Sequence, residues 1–251
     1  MRLLISGEGP TDIGTCNNAQ GVCSDAAFSP GPMAVWLTRL WAALLHYDLL
    51  TITEAVVFVN ESELTRETKS ASGRMHVMRG KDKPAETGLF FNNARQLGLM
   101  AKRLLVSGDT PVMAVFFRDA DGTRSAPNQQ WRTKWDSILG GFKAAEFHFG
   151  VPMLPKPKSE AWLLCATKQG SHSFADLEGI SGNDDSPHSA KSQLDLAMGQ
   201  HLSAADLAEW GQANPADWSR LLTMPSFKEF FDRFHTVANA ILMPAAAAIP
   251  L

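Results

Sequence analysis

Short apolar runs bounded by glycine and polar turns alternate along this chain with longer stretches in which apolar residues return every three or four positions. Residues 3–6, 55–59 (AVVFV) and 112–117 (VMAVFF) have the length and unbroken apolarity of strands buried on both faces. Residues 147–151 read as a fourth strand, just ahead of the Pro-Lys-Pro-Lys turn at 155–158. Helical spacing marks residues 33–47, where Val35, Leu37, Leu40, Trp41, Leu44 and Leu45 share a face, and recurs at 90–105 and 129–139. Between these elements, residues 15–32 read as a Gly-, Asn- and Ser-rich loop, and 60–86 as a polar segment with no convincing period. Strands alternating with helices predict an α/β fold, a parallel Rossmann-like sheet flanked by helices.

Beyond residue 159 the pattern changes. Residues 160–166 start a helix, the chain is loop-like to 187, and helical spacing returns at 190–198, 204–210 and 227–242. This predicts an α/β domain with inserted loops over residues 1–168 and a mostly helical C-terminal region, 169–251, packing on it.

Composition narrows the function. Of 251 residues, 45% are hydrophobic, and 23 Lys and Arg against 26 Asp and Glu give a formal net charge of −3. A strongly basic protein that coats nucleic acid is excluded, but a local basic groove is not. Such a groove has a candidate in the stretch from residue 66 to 83, where Arg66, Lys69, Arg74, Arg79, Lys81 and Lys83 outnumber Glu67 and Asp82. Arg74, Arg79, Lys81 and Lys83 would grip a phosphate backbone, or the stretch is a solvated loop. Cys16, Cys23 and Cys165 lack disulfide-framework or zinc spacing and read as three free thiols, which argues against a secreted, stapled domain. Residues 1–6 are too short for a signal-peptide core, and Arg39, His46 and Asp48 interrupt the most apolar stretch, so a cytoplasmic protein with no membrane partner is expected. Trp36, Trp41 and Trp162 fall at core positions, and His76, His148 and His188 have no partners at ligand spacing.

Two acidic motifs follow predicted strands directly: Ser6-Gly7-Glu8-Gly9-Pro10-Thr11-Asp12 and Phe117-Arg118-Asp119-Ala120-Asp121-Gly122. Ligands of open parallel sheets bind beyond the carboxyl ends of the strands, where two such clusters can meet. Hard carboxylate oxygens suit Mg2+ or Mn2+, and a divalent ion neutralises the charge that builds on a phosphodiester under attack. Taken singly, each motif has an ordinary alternative: Asp-x-Asp occurs in glycosyltransferases, phosphatases and plain turns, and Glu8 alone would serve as a helix cap.

A strand ending in Glu-Gly and a much later strand ending in Asp-x-Asp resemble the TOPRIM pattern of topoisomerases, bacterial primases and OLD-type nucleases. Glu8-Gly9-Pro10-Thr11-Asp12 is similar to the E-G-x-T-E/D form of the OLD nucleases and of their small stand-alone relatives, the RloB-like proteins and the domain-of-unknown-function 4276 family. Pro157-Lys158-Ser159-Glu160-Ala161-Trp162-Leu163-Leu164 is similar to the P-x-x-E-x-W-L-L signature of those relatives. The resemblance implies a Mg2+- or Mn2+-dependent nuclease acting on DNA or RNA. Glu8, Asp12, Asp119, Asp121 and Glu160 would be metal ligands, and Glu8, Asp119, Asp121, Glu160 and Lys158 catalytic, with Lys158 (or Lys156) stabilising the pentavalent phosphate. It also implies a bacterial setting in defence against phage. No G-x-x-x-x-G-K-[ST] is present, so an ATPase would act as a partner in trans, and a homodimer is compatible with the apolar C-terminus. A non-catalytic module that binds nucleic acid or an ATPase, and a metal-dependent nucleotide phosphohydrolase, are the competing readings.

Overall fold

In a computed structural model, the described residues are 1–72, 84–106, 108, 110–120, 131–167, 174–214 and 216–243, the side chains of 69–72 and 84–86 excepted. A five-stranded sheet forms the centre. Its four parallel strands are β1 (Arg2–Gly7), β5 (Val56–Asn60), β6 (Val112–Phe117) and β7 (Gly150–Met153). With β3 (Val22–Ser24) antiparallel on the outer edge, the strand order is β3-β5-β1-β6-β7. All six residues of β6 are buried, as are Leu3, Leu4 and Ile5 of β1, so both faces of the sheet are covered. That explains why these strands are continuous apolar runs instead of alternating ones.

Helices supply the cover. α1 (Pro32–Leu45) follows the first strands, and α2 (Glu61–Ser72) packs on β5. α3 (Pro84–Val106) lies on β1 and β6, and α4 (Trp131–Ala144) lies on α3 and β7. After α5 (Ser159–Thr167) come α6 (Ala190–Met198), α7 (Ala204–Ala213), the single turn α8 (Trp218–Leu221) and α9 (Pro225–Leu242). Residues of α9 enter the same core as the strands: Phe234 meets the edge of Trp41 at 5.3 Å between ring centroids, and Trp162 meets Phe227 and Phe230 at 5.0 and 5.7 Å. Trp36, Trp41 and Trp162 are core residues. No helix among the described residues is long and apolar enough to cross a membrane.

Four expectations need correction. Residues 15–32 are not simply a loop: β2 (Gly14–Cys16) pairs antiparallel with β4 (Phe28–Pro30), and β3 extends the main sheet. Cys16 and Cys23 are not free thiols, because these short strands bring their Cα atoms to 5.6 Å and a disulfide joins them. Cys165 is the one free cysteine, and burial pushes its thiol up to about 12. The polar stretch after residue 60 begins with helix α2, anchored among its described side chains by one fully buried apolar residue, Leu64, and by polar contacts such as Glu63–Arg66 and Thr68 Oγ1 to Leu64 O at 2.9 Å. The fourth strand starts at Gly150, since Phe147 N donates to Phe142 O (3.0 Å) and is spent closing the end of α4.

Gly7 faces Phe117 across the β1–β6 pair, and a Cβ there would lie 2.5 Å from Phe117 O. Gly7→Ala is therefore expected to cost about 1–3 kcal/mol of overpacking, read as a melting temperature lower by roughly 3–10 °C for a chain of this size. Titration of thiols in non-reducing denaturant should find one reactive thiol, Cys165. Reduction should lower stability by about 2 kcal/mol, the entropy of the short loop that Cys16–Cys23 closes. Three thiols without reductant would remove the disulfide.

Candidate metal centre

Between β1 and β6 the order of connections reverses: the chain leaves β1 toward β5 on one side and leaves β6 toward β7 on the other. In open α/β sheets this switch point opens a crevice at the carboxyl ends of the strands. Gly7 pairs with Phe117, so the segments leaving β1 and β6 emerge level with one another.

Asp12 reaches the crevice through a tight turn. Gly9 has φ +82°, and a Cβ there would lie 2.7 Å from Asp12 Oδ2, so the turn requires glycine for both conformation and space. Asp12 O accepts from Met33 N (3.0 Å) at the start of α1, and Thr11 Oγ1 donates to Asp12 Oδ2 (3.0 Å). Asp119 follows β6. On either side of it, Arg118 N donates to Met153 O and Ala120 N to Pro155 O, both at 3.1 Å. The almost fully buried Lys134 donates to Ala120 O (2.6 Å), and its ammonium sits 5.5 Å from the centre of the Phe90 ring. Glu160 stands in the first turn of α5, where the helix dipole favours negative charge.

Ser159 joins the three. Its amide donates to Asp119 Oδ1 (2.9 Å), and its hydroxyl donates to Asp12 Oδ1. One carboxylate oxygen from each of Asp12, Asp119 and Glu160 lies within 4.8 Å of the others, and all three residues are half-buried. Burial raises the Asp12 carboxyl above its ordinary range, against the opposing hydrogen bonds from Ser159 and Thr11 and the charge of Lys158. Glu160 is raised by burial first and by the charge of Asp12 second. An all-oxygen, mutually repelling set of this kind matches the donor chemistry of Mg2+ or Mn2+.

The other predicted residues lie elsewhere. Glu8 is not one of the three: it pairs with Arg118, which also engages Glu61 and stacks 5.3 Å over the Phe90 ring. Its strand-terminal position puts it on the neighbouring rim, at a cavity of about 290 Å³ lined by Gly9, Asn60 and Glu61 among others. Lys158 Nζ bonds Asp184 Oδ1 at 2.9 Å while contributing positive charge toward Asp12 and Glu160, and Lys156 faces Glu178 at 4.0 Å. Asp121 and the basic residues Arg74, Arg79, Lys81 and Lys83 lie outside the described residues. Two contributors had no role assigned from sequence. Ser159 is signalled by its place just before an acid at a helix start, and Lys134 by its position on the apolar face of a helix between Trp131 and Ile138. No family model, curated protein or solved structure matches the chain.

The raised carboxyls set a pH dependence. Below the ordinary carboxylate range both the folded and unfolded chains are protonated. As pH rises, the unfolded chain loses these protons first, so stability falls as pH rises through the raised values of Asp12 and Glu160. In chelator at pH 7, Glu160→Gln should therefore raise the melting temperature by about 2–4 °C, on the order of 1 kcal/mol. Millimolar Mn2+ should raise that of the wild type by at least as much, and by less at pH 5. Identical melting with and without Mn2+ at pH 7 would remove the metal centre.

Proposed function

We propose that this chain is a Mg2+- or Mn2+-dependent nuclease of TOPRIM type that hydrolyses phosphodiester bonds. The observation that carries the reading is the convergence of Asp12, Asp119 and Glu160 at the switch point of the sheet. Those three carboxylates would hold the ion, with Ser159 fixing the orientation of Asp119 and Asp12. A divalent ion bound there supplies Lewis-acid stabilisation of phosphoryl oxygens and lowers the pKa of coordinated water. Lys158, beside Asp12, places a positive charge where a phosphate would approach. Arg118 pairs with both Glu8 and Glu61 and offsets one of their two negative charges. Glu8 thus supports the rim, and in this reading it stands outside the ligand set.

A DNA or RNA substrate, an ATPase acting in trans and a role in bacterial phage defence rest on the motif resemblance alone, and a homodimer on the apolar C-terminal sequence. A cytoplasmic setting rests on the sequence pattern, and the Cys16–Cys23 disulfide pulls against it, because the cytoplasm keeps thiols reduced.

Cleavage of plasmid, single-stranded DNA and RNA in Mg2+ or Mn2+ tests the reading. Asp119→Ala should lower the rate by at least about a hundredfold, and Lys158→Ala by roughly tenfold, with both variants folded. Cleavage undiminished in Asp119→Ala would remove this site from the reaction. Phosphate release from mononucleotides with no cleavage of polymers would favour the phosphohydrolase reading.

A further inference from the structure

Part of the acidic trio borders a larger space. Asp12, Ser159 and Glu160 also line a cavity of about 250 Å³, which Asp119 does not line and to which α5, α6, α7 and the start of α1 contribute. The rest of its lining has a different character. Leu163, Leu194 and Leu207 present an apolar surface, and Lys191, Asp195 and His201 stand around it. His201 is positioned by Asp195: Nδ1 lies 3.1 Å from both of its carboxylate oxygens, so Nε2 is the ring nitrogen not engaged by Asp195. Carboxylates, leucines, a lysine and an imidazole bonded to Asp195 thus line one space.

From this arrangement we propose that the cavity is a subsite for one nucleoside unit, whose phosphate lies against the acidic trio. The inference rests on the metal-dependent reading above and adds where the rest of the substrate goes. Size supports it: about 250 Å³ falls just under the roughly 300–1,000 Å³ of pockets that enclose drug-sized ligands. One base with its sugar fits such a space, and a base pair does not. Chemistry supports it too. A base is a flat ring with an apolar face and a hydrogen-bonding edge, and the cavity offers leucine side chains for the face and His201 Nε2 with Lys191 for the edge. A purely inorganic or sugar phosphate would make no use of the three leucines. The consequence for the reaction is that a strand is taken with one nucleotide turned out of its stack, which favours single-stranded substrates over duplex.

The test compares AMP with inorganic phosphate, each titrated calorimetrically into the full chain with Mn2+ present. Burying some tens of Å² of ring surface on the leucines corresponds to roughly a tenfold preference for AMP. Leu207→Trp, which fills the cavity, should erase the preference while leaving Mn2+ and phosphate binding as they were. His201→Ala, a change at an exposed side chain that the fold should tolerate, should reduce the preference by about two- to fivefold. Equal affinity of the wild type for AMP and phosphate, or a preference that survives both substitutions, overturns the subsite and leaves the metal centre standing. Failure of Mn2+ itself to bind overturns both.

Discussion

A single serine carries the geometry on which the candidate site depends. Ser159 is fully buried at the first turn of α5, and it bonds two carboxylates that come from points more than a hundred residues apart in sequence, its amide to Asp119 and its hydroxyl to Asp12. The next residue is Glu160, so the helix that makes the joint also delivers the third carboxylate. Amide and hydroxyl donors lower the cost of a buried negative charge, and here they do so while fixing direction. Without that joint, repulsion between Asp12 and Glu160, each already raised by burial, would push the loop at Asp12 outward toward water.

The two acids nearest the end of β1 show how local surroundings divide roles. Glu8 and Asp12 are four residues apart, yet Glu8 meets a guanidinium and Asp12 meets a serine, a threonine and another acid's field. A carboxylate already paired with Arg118 has little to gain from a cation, whereas one that is desolvated beside like charge has much to gain. Proximity to the end of a strand is therefore not enough to identify a ligand, and the charge balance of the immediate neighbours decides.

Much of the fold was legible because buried parallel strands are apolar without interruption: residues 112–117 read as a strand with the bounds it has, and residues 190–198 as a helix likewise. The stretch 15–32 was not, because strands of three residues carry no measurable period, and what organises them is pairing: β2 with β4 within the stretch, and β3 with β5 beyond it. Helix α2 was hidden because, among its described side chains, Leu64 alone is apolar and fully buried. At the site, Asp12, Asp119 and Glu160 are all visible as acids next to predicted elements, and so is Glu8, whose pairing with Arg118 is not. Glu8 directly follows Gly7 and Arg118 directly follows Phe117, residues that pair in adjacent parallel strands, so opposite charges leave the sheet side by side. Register, which sequence pattern alone does not supply, was the missing step.

Rigidity upstream of the serine joint has its own source. Among the three carboxylates, Asp12 alone comes from a turn that ends neither a strand of the main sheet nor begins a helix, and it needs support that Asp119 and Glu160 obtain from β6 and α5. That support arrives from both directions. Met33 N holds Asp12 O against the start of α1, and Gly31 N holds Ile13 O (3.2 Å). Downstream, the Cys16–Cys23 disulfide ties β2 to β3, and β3 is hydrogen-bonded to β5. The turn is thus tethered to the central sheet through the edge strand and to a helix through its backbone. Three like charges can be kept within 4.8 Å only if the chain cannot yield, and the short strands and crosslink of residues 14–30 act on that requirement from a distance that no acidic motif would reveal.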